Sequence, residues 1–233
     1  MEKIKVLNKG YVRYLGHMGS DLDVVNAARV SFEKESKELT EKDEKLIHFL
    51  AENDHTSPFR HVFFSFEIKA PLVVARQWWK YVVASTHTDG WNESSRRYVT
   101  EEPVFYQPES WLKAADNKKQ GSAGPVDVGI QAAMTGALSA HIDNSMMLYK
   151  KAMDMGVTPE QARLFLPAYG MYVTWRWSAS LQAVAHFLHQ RLNGEAQSEI
   201  QEYAKAIKEL VKDKAPISFE ALRGEKRRKI FPV

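Results

Sequence analysis

The chain has 233 residues, 44% of them hydrophobic and 26% charged, with a net charge of +3 and no cysteine. That length suffices for a hydrophobic core without staples and reads as a single domain over 1–233. The cysteine count excludes disulfides, thiolate metal sites and cysteine nucleophiles. No apolar run reaches the roughly 18 residues of a membrane span, and Met1-Glu2-Lys3-Ile4-Lys5-Val6 has no signal-peptide core, so a cytoplasmic location is expected. The mild positive charge suits small anionic substrates as well as it suits nucleic acid.

Ile4 to Leu7 and Tyr11 to Leu15 read as strands around a turn at Asn8-Lys9-Gly10. Ser20-Asp21-Leu22-Asp23 is a capping box opening a helix to about Arg29. Thr40-Glu41-Lys42-Asp43 opens a second helix, with Leu46, Phe49 and Leu50 on its apolar face, ending near Asp54. The loop His55 to His61 places two histidines around Ser57-Pro58; no third ligand stands at metal spacing, so no metal site is expected.

Val62 to Lys69 alternates, with Phe64, Phe66 and Ile68 on one side, as a strand with one buried face does. Pro71 suits a first helical position, and Leu72, Ala75 and Trp79 mark a helix that Thr86 to Gly90 breaks. From Pro103 to Gly129 the periodicity dissolves, and 116–125 reads as an insertion rather than an active-site lid. A long helix follows from Ile130 to Met155, ended by Gly156, with methionines that read as packing material. A capping box at Thr158-Pro159-Glu160-Gln161 opens a helix that Pro167 stops. Tyr169 to Trp177 reads as a strand, Ser178 to Arg191 and Glu195 to Asp213 as helices, and Lys226 to Lys229 as a solvated tail. Without βαβ alternation the class is α+β, an antiparallel or mixed sheet packed with long helices.

The stretch Arg76 to Tyr98 carries the chemistry. It mixes three tryptophans with Arg76, Lys80, Arg96, Arg97, Glu93 and small hydroxyls. Arginine forks match phosphate oxygens, and aromatic walls hold flat rings. Trp78 and Trp79 taken alone read as core or interface residues.

Gln77, Ser85, Asn92, Glu93, Ser95, Arg97 and Tyr98 resemble the signature of the flavin-dependent thymidylate synthases. The likeness continues in Ala27 to Phe32, the His55 loop, Lys69-Ala70-Pro71, Ala162-Arg163, Leu166-Pro167, Phe187-Leu188 with Arg191, and Ala196-Gln197 with Glu199-Ile200-Gln201. It departs where the family's Arg-His-Arg becomes Lys80-Tyr81-Val82, and where about five extra residues, Thr86 to Gly90, precede Asn92. His87 or Arg96 is the candidate to supply the missing charge.

The resemblance implies a methyltransferase that converts dUMP to dTMP, with methylenetetrahydrofolate as one-carbon donor, reduced FAD as hydride donor and NADPH as reductant. It implies that Gln77, Lys80, Ser95, Arg96, Arg97, Arg163 and Arg191 bind dUMP, with Arg191 catalytic. It also implies that Ser31, His55, Ser57, Lys80, Glu93, Ser180 and His186 bind FAD, and that the protein is a homotetramer with shared sites. Ser180 and His186 stand where the family often has asparagine. A chain without cysteine cannot activate the pyrimidine by thiolate addition, so positive charge must do it. Two other readings stay open: a flavoprotein of the same fold with an altered substrate, and a non-catalytic nucleic-acid-binding module built on Arg96-Arg97, the tryptophans and the basic tail. The small net charge and the lack of a nucleic-acid motif weigh against the last, so neither a nucleic acid nor a membrane is expected as partner.

Overall fold

The computed structural model describes residues 2–82, 90–95, 101–115 and 121–223. Strands β1 (Lys3–Val6) and β2 (Gly10–Met18) form a hairpin, and helix α1 (Asp21–Arg29) follows. Helix α2 (Glu41–Glu52) leads through a 3-10 turn (Ser57–Arg60) to strand β3 (Phe63–Pro71) and helix α3 (Leu72–Trp78). Next come strands β4 (Gly90–Glu93), β5 (Leu112–Ala114) and β6 (Ser122–Pro125), then the long helix α4 (Val128–Asp154) and the short α5 (Pro159–Ala162). Strand β7 (Tyr172–Ser180) and helices α6 (Leu181–Arg191), α7 (Ser198–Val211) and α8 (Pro216–Arg223) complete the described chain. The class is α+β, as the pattern of elements predicts. The main sheet has the order β1-β2-β3-β7-β4, and every pairing in it is antiparallel.

The period-2 pattern of β3 does what it predicts. Phe64, Phe66, Ile68 and Ala70 are buried, while Phe63, Ser65, Glu67 and Lys69 take the other face. Opposite them β7 buries Trp175, Trp177 and Ala179 and exposes Arg176. Helices α6 and α7 close over this apolar face, α7 through a stripe of Ile200, Tyr203, Ala204, Ile207 and Val211. Trp78 sits at the junction, stacked 4.2 Å from Phe187 and edge-on to Trp175 and Trp177 at 5.5 and 5.4 Å. Such aromatic packing fixes the end of α3 in place.

The capping box of Ser20 with Asp23 forms on α1, and Thr40 with Asp43 makes another on α2; the box expected at Thr158 is absent from α5. Other expectations need correction. Pro71 is the last residue of β3, paired with Tyr172, and precedes α3 as its cap rather than lying inside it. β7 runs to Ser180 because its ladder with β3 continues to Phe63, so α6 starts later than the pattern suggests. α7 starts at Ser198, since a turn at Asn193-Gly194 occupies the residues before it. β4, the β5–β6 hairpin and α8 appear where no regular element is expected. Most of the methionines do not fill a core: Met134, Met147 and Met153 of α4 and Met155 at its C-cap are exposed, Met146 packs partly buried against the core, and the helix fully buries only Ser145, Tyr149 and Ala152. Trp79, unlike Trp78, is exposed. No helix among the described residues is long and apolar enough to cross a membrane.

Candidate active site

Gln77, on the last turn of α3, and Lys80, in the 3-10 turn after it, flank the buried Trp78. Arg191 ends α6, one helical turn beyond Phe187, the residue that stacks on Trp78. One aromatic cluster therefore orients all three side chains. They line a cavity of about 630 Å³ with Pro108, Ser110, Trp111, Gly121, Ser122 and residues Glu195–Glu199.

The Arg191 guanidinium lies 5.2 Å from the centre of the Tyr81 ring, and its Nε is buried without a hydrogen-bond partner. Tyr81 is 6% exposed and packs edge-on against Phe187 at 5.3 Å. Burial raises its phenol pKa, and the neighbouring guanidinium opposes the rise. His186 lies beside the same ring at 5.5 Å.

The far wall is built by α7 and the segment before α4. Gln77 Nε2 donates to Gln197 Oε1, whose own Nε2 donates to Glu199 at 2.8 Å. Ser198 Oγ and Tyr106 Oη also donate to Glu199, at 3.1 and 3.2 Å. Gln131 of α4 holds the backbone of Trp111 through both its N–H and its carbonyl, at 2.8 and 2.9 Å. Gly121 and Ser122 thus wall the cavity, whereas the sequence reads 116–125 as a plain insertion. Gln197 and Glu199 are site residues that sequence reasoning assigns no role; their only signal is membership of the Ala196-Gln197 and Glu199-Ile200-Gln201 stretches.

A second cavity, of about 600 Å³, lies between α1, α2 and the His55 loop. Ser31, His55 and Ser57 line it with Arg29, Lys34, Phe32 and Phe49. Phe32 and Phe49 are 74% and 54% exposed, an unfavourable state that a bound ring would relieve. Arg29 is ion-paired to the buried Asp43. The two cavities have no lining residue in common.

The remaining described candidates line neither cavity. Glu93 ends β4; desolvation raises its carboxyl pKa, while the Trp91 indole and Arg76 act the other way. Ser95 follows it, half-buried. Arg163 is exposed beside α5, its Nε donating to the Glu160 carbonyl at 3.1 Å. Ser180 is buried, and its hydroxyl caps α6 by accepting from Ala183 N at 3.2 Å. Arg96, Arg97 and His87 lie outside the described residues.

Fold and site together define an α+β enzyme with cationic and aromatic surfaces for a flat, anionic ligand. A family model described as thymidylate synthase complementing protein matches residues 13–217. The flavin-dependent thymidylate synthase of Thermosipho africanus is 38% identical over 217 residues, covering 93% of this chain and 92% of that protein. The enzyme of the same name from Thermus thermophilus is 39% identical over 218 residues, 94% of this chain and 77% of that one. The crystal structure of a UMP/dUMP methylase, PolB from Streptomyces cacaoi, bound with 5-Br dUMP, superposes with a TM-score of 0.78 at 26% identity, covering 94% of this chain and 96% of that one. The chain belongs to the flavin-dependent thymidylate synthase family.

Proposed function

We propose that the protein methylates carbon 5 of dUMP to give dTMP, with methylenetetrahydrofolate as one-carbon donor, FAD as cofactor and NADPH as reductant. The observation that carries this reading is the convergence of Gln77, Lys80 and Arg191 on one cavity. A guanidinium at the pyrimidine edge stabilises the negative charge that develops as carbon 5 becomes nucleophilic, and favours loss of the ring N3 proton. The Tyr81 ring gives it a platform. Lys80, with Arg96, Arg97 and Arg163, supplies charge for the phosphate, and Gln77 and Ser95 supply neutral contacts. The chain has no thiol to add to the ring.

The Ser31 cavity has the donor set of a flavin site: hydroxyls, an imidazole and cations beside two exposed phenylalanines. Ser31, His55 and Ser57 would hold FAD, with Lys80, Glu93, Ser180 and His186 completing the set. When bound, FAD supplies the hydride that completes the methyl group. The separation of the two cavities supports a homotetramer in which each active site draws on several copies. So does the exposed apolar length of α4.

The likeness to a UMP/dUMP methylase favours one second reading, the same chemistry on UMP. Tritium release from 5-labelled dUMP and UMP, dependent on folate and NADPH, tests both; the purified protein should also show flavin absorption bands. A colourless protein, or no release from either nucleotide, would remove the proposal.

A further inference from the structure

We propose that Glu199 is a positioning residue that acts through Gln197 to fix which end of the Gln77 amide faces the nucleotide. The idea rests on the reading of this cavity as the nucleotide site. An amide can flip end for end, and its oxygen and nitrogen are told apart only by their partners. Here the partners form a chain with an unambiguous end. A carboxylate accepts and cannot donate, so the group Gln197 turns to Glu199 must be its Nε2, at 2.8 Å. That turns Gln197 Oε1 toward Gln77, which must answer with its own Nε2.

Ser198 Oγ donates at 3.1 Å to the same Glu199 oxygen as Gln197, and Tyr106 Oη donates to the other oxygen at 3.2 Å. Burial and the Glu199 charge raise the Tyr106 pKa, so the phenol stays a donor. The Gln77 carbonyl Oε1 is left as an acceptor, and no donor among the described residues meets it. In a wall where Lys80 and Arg191 take the anionic parts, this oxygen takes a neutral donor of the nucleotide, its sugar hydroxyl. An amide free to flip would present the wrong group part of the time, which weakens binding more than chemistry.

The test is a set of variants assayed for kcat and KM with dUMP, each with its melting temperature. Glu199→Gln lets the chain run either way; Gln197→Met, at an exposed position, removes the acceptor that holds the Gln77 amide. Each should raise KM about three- to tenfold, the worth of one hydrogen bond, with kcat within about twofold. The double variant Gln197→Glu/Glu199→Gln again turns an acceptor to Gln77 and should restore KM to within about twofold. Should Glu199→Gln fail to fold, Gln197→Met carries the same expectation. With the wild type, 3′-deoxy-dUMP should bind about three- to tenfold more weakly than dUMP. An unchanged KM in the single variants, a double variant no better than Glu199→Gln, or equal binding of the two nucleotides overturns the relay alone. A wild type that neither binds nor converts dUMP overturns the relay together with the reading of the cavity.

Discussion

The guanidinium of Arg191 lies over the ring of Tyr81, 5.2 Å from its centre. The resemblance sets Tyr81 at the histidine of the family's Arg-His-Arg triplet, and in this chain that position is a platform for a cation. An arginine resting on a ring keeps its planar fork presented, where a carboxylate partner would take up its N–H groups.

Arg191→Ala should lower turnover of dUMP by about 100-fold or more, the scale of removing a charge-stabilising donor. Bound flavin should persist in its visible spectrum. Arg191→Lys should rescue little, because a point charge lacks the fork. A fully active alanine variant would end the proposed role.

Tyr81→Leu removes the platform and should lower kcat/KM by about tenfold, within the range of a desolvated cation–π contact. Tyr81→Phe keeps the ring and should stay within about threefold of the wild type. If Phe fails as badly as Leu, the hydroxyl rather than the ring is what matters.

Acid should destabilise the fold through Asp43. The Thr40 hydroxyl, at 2.7 Å, lowers its pKa most. The Thr40 N–H, Arg29 and Ser36 lower it further, together outweighing desolvation. A carboxyl whose folded pKa lies below its ordinary value of 3.8 contributes stability above that pH and loses it as pH falls through the folded value. Denaturation midpoints should therefore drop below about pH 4, and Asp43→Asn should flatten that limb while lowering stability at neutral pH. An unaltered acid limb in the variant would count against this account. Arg29 lines the Ser31 cavity, so the variant should also weaken flavin binding.

Gly10→Ala should be costly. A Cβ there would lie 2.0 Å from the Tyr203 hydroxyl and 2.6 Å from the Lys69 carbonyl, which already bond to each other at 2.8 Å. Overpacking of this kind costs about 1–3 kcal/mol, or roughly 2–12 °C of melting temperature at this chain length. A wild-type melting curve would show that α7 can shift away from β2.

Local rules carried far along this chain. The alternation of β3, the capping boxes of α1 and α2, and the apolar stripe of α7 each depend on residues within one or two turns, so their sequence is sufficient evidence. Helix α8 was not legible because its cap is not local. Asp21 of α1 accepts from the backbone N–H groups of Ile217 and Ser218 at 3.0 and 2.9 Å, across 196 and 197 residues. β4 is four residues long and needs the finished edge of β7 to pair with. The β5–β6 hairpin is exposed on both faces and leaves no hydrophobic alternation to read.

By itself the sequence determined the family, the α+β class and the chemistry open to a chain that has cations and aromatics but no thiol, because those follow from which residues are present and in what order. Only the tertiary structure decided that Gln77, Lys80 and Arg191 share a cavity, that Ser31, His55 and Ser57 face a different one, and that Gln197 and Glu199 belong to the site. Those are matters of which helix ends the aromatic core brings together, and packing between distant segments leaves no periodicity in the chain that encodes it.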